Sequence, residues 1–520
     1  MDFGSIIRNS AQRFGDNIAI WDDGRSQTYT TLYERASRLA NGLIDLGVEI
    51  GDRVALLGYN SLLTGEQTAA LALGRFARAG LYAHETADVN GYLLDLVDAK
   101  VLIVEAGLYP VIAERLKTVA SLQHVLVYAG DAPEGTLAYE EVLAAASAAD
   151  PMRIGQPDDI HVIRFSAGTT GRPKGIVHTN QRWRANDDEY RWVTPQLDEN
   201  DGYLAAGQLT HAAALWVWPI FTVGAKIIIM RQFEAGRALQ LIEEQRATVT
   251  LGVPTMITAL LNHPDIDQRD LSSLRCFNYA GAPIAEHTLS RAVQRFGPVL
   301  YQLYAQSEAI TISMLLPHEH VPDGTAEQRQ LLRSGGRPTP HVTVTVVDDA
   351  GNPLPAGEVG EIAARAPGQM NYLWKDEAAT AARLLPDGSL LTRDMGYVDE
   401  RGYIFVTDRK EDMIVSGGYN IWPAELENAL ASHPAVREVC VVGVHHPKWG
   451  ETPTAVVVLH PGAEVTEAEL IAHTRDLVGS IKKVTSVVFV DQLPKSGVGK
   501  LLRRRVRQDL APDQKGVGRA

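Results

Sequence analysis

The stretch "RFSAGTTGRPKGIVH", Arg164 to His178, sets three glycines, a proline, a lysine and a run of hydroxyl residues between two apolar segments. Glycine lets the backbone turn where a Cβ would clash, and successive N–H groups in such a turn form a concave anion site, so the chemistry suggested is phosphate binding. The nucleotide P-loop pattern is not met: Pro173 stands five residues after Gly168, and Lys174 is followed by Gly175. Ordinary tight connections use the same residue types, so the loop takes its meaning from its company. "YAGAPI", from Tyr279, follows a short apolar run and is small enough to admit a flat ring against the backbone. "YQLYAQSEA", from Tyr301, offers an aromatic platform at Tyr304, a hydroxyl at Ser307 and a carboxylate at Glu308. Asp394 follows a strand-like run in "LLTRDMG", Arg409 lies in "DRKED", Gly417 and Gly418 in "VSGGYNIWPAELE", and Lys500 in "LPKSGVGKLLRR".

Buried strands interleaved with amphipathic helices must position these groups. "YTTLYERASRLANGLIDLG" precedes "DRVALLGYN", and "TGEQTAALALGRFARAG" precedes "AKVLIVEA" and "HVLVYAG", an alternation that predicts α/β architecture with parallel sheets. After Arg333 the spacing becomes period two in "HVTVTVVDDAGNPLPAGEVGEIAAR", which predicts an antiparallel β subdomain. From "DRKEDMIVSGGYN" onward, helices such as "PAELENALASH" and "EAELIAHTRDLV" alternate with "REVCVVGV" and "TAVVVLH" as a small α+β unit. The expectation is a large N-terminal domain, residues 1–408, of stacked α/β subdomains plus the β subdomain. A small mobile C-terminal domain, residues 409–520, follows, divided from it at a charged run.

The chain has 520 residues, 45% of them apolar, against a prior of ~150 residues per domain, and is predicted to be multi-domain and globular. A net charge of −14 gives no basic field for nucleic acid. Cys276 and Cys440 have apolar neighbours and no CxxC spacing, which predicts buried free thiols in a reducing compartment. The opening residues carry no basic-then-apolar leader pattern and no run approaches ~18 apolar residues, so a cytoplasmic protein with no membrane partner is expected. "RWRANDDEYRW" mixes charge signs and is read as an exposed helical face, with a homodimer contact as one use for it, and His445-His446 as a solvated loop pair.

In their order along the chain, these motifs resemble those of the adenylate-forming superfamily, which includes acyl-CoA synthetases, aryl-CoA ligases, luciferase and the adenylation domains of peptide synthetases. The resemblance covers essentially the whole chain. It implies ATP-dependent activation of a carboxylic acid as an acyl-adenylate, with Mg²⁺, and transfer of the acyl group to coenzyme A. Ser166, Gly168, Thr169, Thr170, Gly171 and Lys174 would then cradle the β- and γ-phosphates, and Glu308 would hold Mg²⁺. Tyr304 would stack on adenine in a pocket lined by Gly281, Ala282, Gln302, Leu303 and Ser307. Asp394 would accept the ribose hydroxyls, Arg409 would lie near ribose and phosphate, and Lys500 would offset charge developing at the α-phosphate. His211 matches a histidine beside the carboxylate site, and Gly281, Leu215, Trp216 and Trp218 are expected to wall the acyl pocket, with Ala212–Ala214 leaving room. No aspartate follows His211 to hold an ammonium group, which points to a bulky apolar acid.

Three departures stand out. The loop begins Ser166-Ala167-Gly168 in place of Thr/Ser-Ser-Gly, and Ala305 and Arg393 replace the glycines of Tyr-Gly-x-Thr-Glu and Thr-Gly-Asp. They leave open an enzyme that only transfers a supplied acyl-adenylate to CoA, one that loads a carrier protein, or a non-catalytic nucleotide-binding protein. The second half-reaction implies rotation of the C-terminal domain, with Glu411 at the hinge and Gly417 and Gly418 beside the pantetheine arm. Lys482 and Arg503–Arg505 are weaker candidates for the CoA phosphates.

Overall fold

The structure is a computed structural model that describes residues 2–165, 173–282, 284–410, 412–416, 419–480, 482–495 and 501–510. Ser166, Gly168, Thr169, Thr170, Gly171, Glu411, Gly417, Gly418 and Lys500 lie outside the described residues. The chain divides into two compact units: Met1–Pro283 with Thr288–Thr343 and Ala364–Leu390, and Ile284–His287 with Val344–Ala363 and Leu391–Ala520.

Two large sheets build the first unit. In one, Lys226–Ile229, Gly202–Ala205, Val249–Gly252, Cys276–Ala280 and Leu300–Tyr304 run parallel as neighbours. In the other, His124–Tyr128, Val101–Glu105, Arg53–Leu57, Ala77–Gly80 and Ile160–Phe165 run parallel, and Gly175–Thr179 then pairs antiparallel with Ile160–Phe165. Val101–Glu105 and Cys276–Ala280 are buried at every residue, as strands covered on both faces must be. The covering helices show the stripe that periodicity demands: in Tyr29–Asp45 the residues Leu32, Ala36, Leu39, Ala40 and Leu43 face inward, and the Thr28 hydroxyl caps the helix at Thr31 N–H. Cys276 is a buried free thiol.

The helix Asn180–Val193 corrects the reading of "RWRANDDEYRW" as an exposed face, because Trp183, Asn186, Asp187, Glu189 and Tyr190 are buried. Partners on other elements explain this: Asn186 Nδ2 donates to the Gly368 carbonyl at 3.0 Å, and Glu189 pairs with His341 at 2.5 Å. Charge alternation alone cannot reveal such distant partners.

The second unit holds a sheet in the order Thr343–Val347, Gly360–Arg365, Leu390–Val398 and Ile404–Arg409, its last two strands antiparallel. The same unit contains a second sheet built on the hairpin Val436–His446 and Gly450–Leu459, packed by the helices Pro423–Ala431 and Glu467–Val478. His445 and His446 finish a strand opposite Glu451 and Gly450, and are not a loop pair. Cys440 lies buried on that strand as the second free thiol. Arg503 also departs from expectation: its guanidinium is nearly enclosed, bonds Glu427 and the Val441 carbonyl, and anchors the helix Arg503–Leu510. Lys482 is held by Glu425 at 2.9 Å. Among the described residues, no helix is long and apolar enough to cross a membrane.

Candidate active site

In parallel α/β sheets the carboxyl ends of the strands are where loops can hold a ligand, and most of the candidate residues of the first unit lie at such ends. Ile160–Phe165 runs into the glycine-rich loop and Gly175–Thr179 leaves it, with Phe165 opposite Gly175 in the ladder. Cys276–Ala280 ends at Gly281, whose φ of +86° favours glycine, and Gly281 and Ala282 are exposed there. Its parallel neighbour Leu300–Tyr304 ends at Tyr304, with Ser307 and Glu308 just beyond. Gly202–Ala205 leads into the loop that carries His211.

These strand ends are tied together. The Ser307 carbonyl accepts from His178 Nε2–H at 2.8 Å, and the Glu308 carbonyl accepts from Met370 N–H at 2.7 Å. Arg383 Nη1 meets Glu308 Oε1 at 3.0 Å, and Lys174 Nζ meets Asp376 Oδ2 at 2.9 Å. Arg164, preceding the loop, stands over the Trp183 ring at 5.8 Å. Burial pushes its guanidinium below the usual arginine range, and the Tyr82 and Glu308 oxygens act in the opposite direction.

His211 is half-buried, its ring centroid 4.7 Å from that of Tyr82, and its Nδ1 lies 3.0 Å from the Thr210 hydroxyl. The Tyr82 hydroxyl donates to the Phe165 carbonyl at 2.9 Å, so one side chain links His211 to the start of the glycine-rich loop. Burial raises that hydroxyl to about 12, which keeps it a neutral donor. Asn60 fixes the loop before His211: its Nδ2 donates to the Gly207 carbonyl at 2.7 Å and its Oδ1 accepts from Leu209 N–H at 2.8 Å. Tyr82, Asn60, Asp376 and Arg383 escape the motif reading, because each acts from an element far away in sequence. Gly335 and Gly336 escape it too, although the doubled glycine was a visible signal. A Cβ at Gly335 would come within 3.1 Å of Tyr304 Cβ, and one at Gly336, φ +77°, would strike the Met314 backbone.

Leu303 and the tryptophans come out differently from expectation. Leu303 is 1% exposed within the main core and its strand is paired on both sides, so it offers a ligand no open surface. Trp218 is also 1% exposed, 4.6 Å from Phe3 and 6.0 Å from Phe221 between ring centroids, with Nε1–H donating to His161 Nε2 at 3.1 Å. Trp216 packs on Tyr190 and donates to Asn278 Oδ1 at 3.2 Å, and Leu215 is buried beside it. These residues are core and present no wall to open space, because the short helix Ala212–Trp216 and the following Val217–Val223 turn their large side chains inward, while Ala212 stays half-buried. Gln302 has its Oε1 buried without a hydrogen-bond partner among the described residues, an acceptor available to an amine.

In the second unit Asp394 and Arg409 are cross-strand partners, Oδ1 to Nε 2.6 Å, with Asp394 buried and Arg409 half-exposed. Thr392 fixes the turn by donating to the Ile362 carbonyl at 2.7 Å and accepting from Asp394 N–H. Arg393 takes φ +62°, whereas Ala305 is absent from the residues of positive φ. The glycine missing from the first position is therefore one the backbone calls for, and the second is not.

Residues 7–374 match the family described as AMP-binding enzyme, and residues 425–500 match its C-terminal domain. The chain is 35% identical to a medium/long-chain fatty-acid–CoA ligase of Mycobacterium tuberculosis, over 99% of this chain and 91% of that protein. It is 36% identical to a feruloyl-CoA synthase of an Amycolatopsis species, over 94% and 95% of the two chains. The solved amide bond synthetase McbA from Marinactinospora thermotolerans resembles it with a TM-score of 0.88 at 30% identity, covering 98% of this chain and 99% of that one. With a family match across most of its length and relatives of this similarity, the chain belongs to the AMP-binding enzymes, in the adenylate-forming, acyl-CoA synthetase type.

Proposed function

We propose that this protein activates a bulky apolar carboxylic acid with ATP and passes the acyl group to the thiol of coenzyme A. The observation that carries this reading is the convergence of Glu308, Lys174 and His211 on the two ends of the glycine-rich loop, through Met370, Asp376 and Tyr82. His211 and the alanines after it receive the acid, whose carboxylate attacks the α-phosphorus while pyrophosphate leaves. Lys174 and the loop residues 166–172 hold the leaving phosphates, and Tyr304 and the Gly281 turn take the adenine, with Gln302 Oε1 as acceptor for its amine. Asp394 and Arg409 take the ribose side.

Among the described residues, no three His, Cys, Asp or Glu side chains gather as a metal site. A lone carboxylate such as Glu308 nevertheless suits Mg²⁺, which is commonly held by one or two carboxylates together with substrate phosphates and water. Bound there, the ion would neutralise phosphate charge during displacement. Residues 409–520 act as the moving domain, with Glu411 as pivot and Gly417 and Gly418 beside the thiol arm, and a cytoplasmic location fits the two free cysteines.

Lys500 provides the test, because its role is confined to charge stabilisation in the first half-reaction. Lys500→Ala is expected to lose acid-dependent ATP–pyrophosphate exchange by several orders of magnitude, yet to convert supplied acyl-AMP and CoA to thioester. Equal loss of both activities overturns the assignment. A panel of aromatic, alicyclic and medium-chain acids, with free CoA or an amine as acceptor, identifies the substrate pair.

A further inference from the structure

The segment Met370–Arg383 meets the candidate site twice, and no motif announces either contact. Its two-residue strand Tyr372–Leu373 pairs antiparallel with Val177 and Ile176, just past the glycine-rich loop. Trp374 N–H donates to the Gly175 carbonyl at 2.7 Å, and Met370 N–H donates to the Glu308 carbonyl at the same distance. The backbone is thereby fixed beside Lys174 at one point and beside Glu308 at another. From this position it extends two charges of opposite sign. The Asp376 carboxylate caps the helix Glu377–Ala381 through Ala379 N–H and also binds Lys174, while the Arg383 guanidinium binds Glu308.

The two pairs differ in environment. Lys174 and Asp376 have side chains 44% and 37% exposed, a setting in which an ion pair is worth little and opens easily. Arg383 and Glu308 are 12% and 14% exposed, so separating them leaves a carboxylate in a poorly solvated place unless another cation arrives. Lys174 is the cation proposed to meet phosphate, and Glu308 the anion proposed to meet metal. Each is matched by a group carrying the charge of its proposed ligand.

We infer that the segment 370–383 is a counter-ion clamp for the nucleotide site, with Asp376 pairing Lys174 in place of phosphate and Arg383 pairing Glu308 in place of the metal. This rests on the assignment of Lys174 and Glu308 made above. Binding of nucleotide is then an exchange of partners: phosphate displaces Asp376 from Lys174, and the metal displaces Arg383 from Glu308. Metal-free ATP opens only the exposed pair, whereas the metal must also displace Arg383 from the buried one, which raises the metal concentration needed. Arg383 is a positioning residue, since it holds Glu308 and touches no reacting atom.

Arg383→Met keeps the alkyl stem and removes the charge, and Asp376→Asn keeps a good helix cap. Equilibrium ATP binding is measured by calorimetry across a magnesium titration and in EDTA, together with thermal melting of the unliganded protein. Arg383→Met is expected to melt earlier without ligand, to reach half-saturation at a magnesium concentration at least threefold lower, and to bind ATP in EDTA as the parent does. Asp376→Asn is expected to tighten ATP binding in EDTA at least twofold and to leave the magnesium midpoint in place. An unchanged or raised midpoint in Arg383→Met overturns the clamp, as does unchanged metal-free affinity in Asp376→Asn. Glu308→Gln, run in parallel, separates the two failures. If it raises the midpoint while Arg383→Met does not lower it, the clamp alone is wrong; if it leaves the midpoint unchanged, the metal assignment is wrong as well. Should Arg383→Met not fold, Arg383→Lys loses the planar fork that suits a carboxylate and is expected to give the same shift, smaller in size.

Discussion

Arg393 shows how one side chain can carry a cost that its neighbours absorb. At φ +62° it sits where glycine is at ease, held by its N–H donating to Glu361 Oε1 at 3.0 Å. A residue with a Cβ loses about 1–2 kcal/mol in this region, whereas glycine loses more entropy on folding. These effects oppose each other, so Arg393→Gly is expected to leave the unfolding free energy from urea titration within about 1 kcal/mol of the parent. Arg393→Val, β-branched and ill suited to this conformation, is expected to cost about 1–3 kcal/mol more. Equal midpoints for the two variants contradict the strain. Buried histidines set the acid limit. His178 donates to the Ser307 carbonyl, and His320 donates from Nδ1 to the Leu316 carbonyl while accepting from the Tyr279 hydroxyl. Burial lowers His178 to about 3 and His320 to about 4, so between those values and the unfolded ~6.5 the unfolded chain binds the extra protons. Their neutral forms are fully compatible with folding above pH 6.5, and stability falls as pH drops below it, by about 2 kcal/mol per histidine at pH 5. His161, buried and likewise lowered, adds to the same loss, so urea titrations at pH 7.5 and 5 are expected to show His320→Gln removing only its own share, about 2 kcal/mol.

At the scale of elements, the short helix after His211 divides two duties. Trp216 ends it and Trp218 lies in the first turn of the next helix, Val217–Val223; they pack inward on Tyr190, Phe3 and Phe221, while His211 before it and Ala212 stay half-open. Trp218→Ala is therefore expected to cost about 3–5 kcal/mol of stability, as large-to-small core changes do, and to leave the ranking of acid substrates unchanged. A changed ranking with little loss of stability would return Trp218 to the acyl pocket. The indole of Trp216 acts on the site at one remove, since it holds Asn278 within the strand that ends at the Gly281 turn.

On the scale of the whole molecule, adenylation and thiol transfer make incompatible demands around one acyl-adenylate, and rotation of residues 409–520 is the proposed solution. Glu411 lies in the charged run between Arg409 and Asp412. Proline fixes φ and removes an N–H, so Glu411→Pro is expected to restrict the pivot. Acyl-AMP should form at near the parent rate and accumulate, with thioester formation slowed ~100-fold, about 2.7 kcal/mol on the second barrier. Quenched single-turnover reactions that follow ATP, acyl-AMP and acyl-CoA decide this, and parent-rate transfer removes Glu411 as the pivot.

By itself the amino-acid sequence determined the alternation of buried strands and striped helices, because apolar periodicity is a local property: the helices at Tyr29–Asp45 and Glu467–Val478 stand where it puts them. It also determined the order of the chemical motifs, since glycine, lysine and carboxylate declare their chemistry by type. Tertiary structure alone decided which charges meet. Arg383 and Glu308 are 75 residues apart, and Lys174 and Asp376 are 202 apart. No spacing rule spans such distances, because pairing across them depends on which strands become neighbours in a sheet. Burial was decided in the same way: Trp218 and Asp187 look like a pocket wall and a solvated acid, but Phe3 packs on the first and the second is 3% exposed.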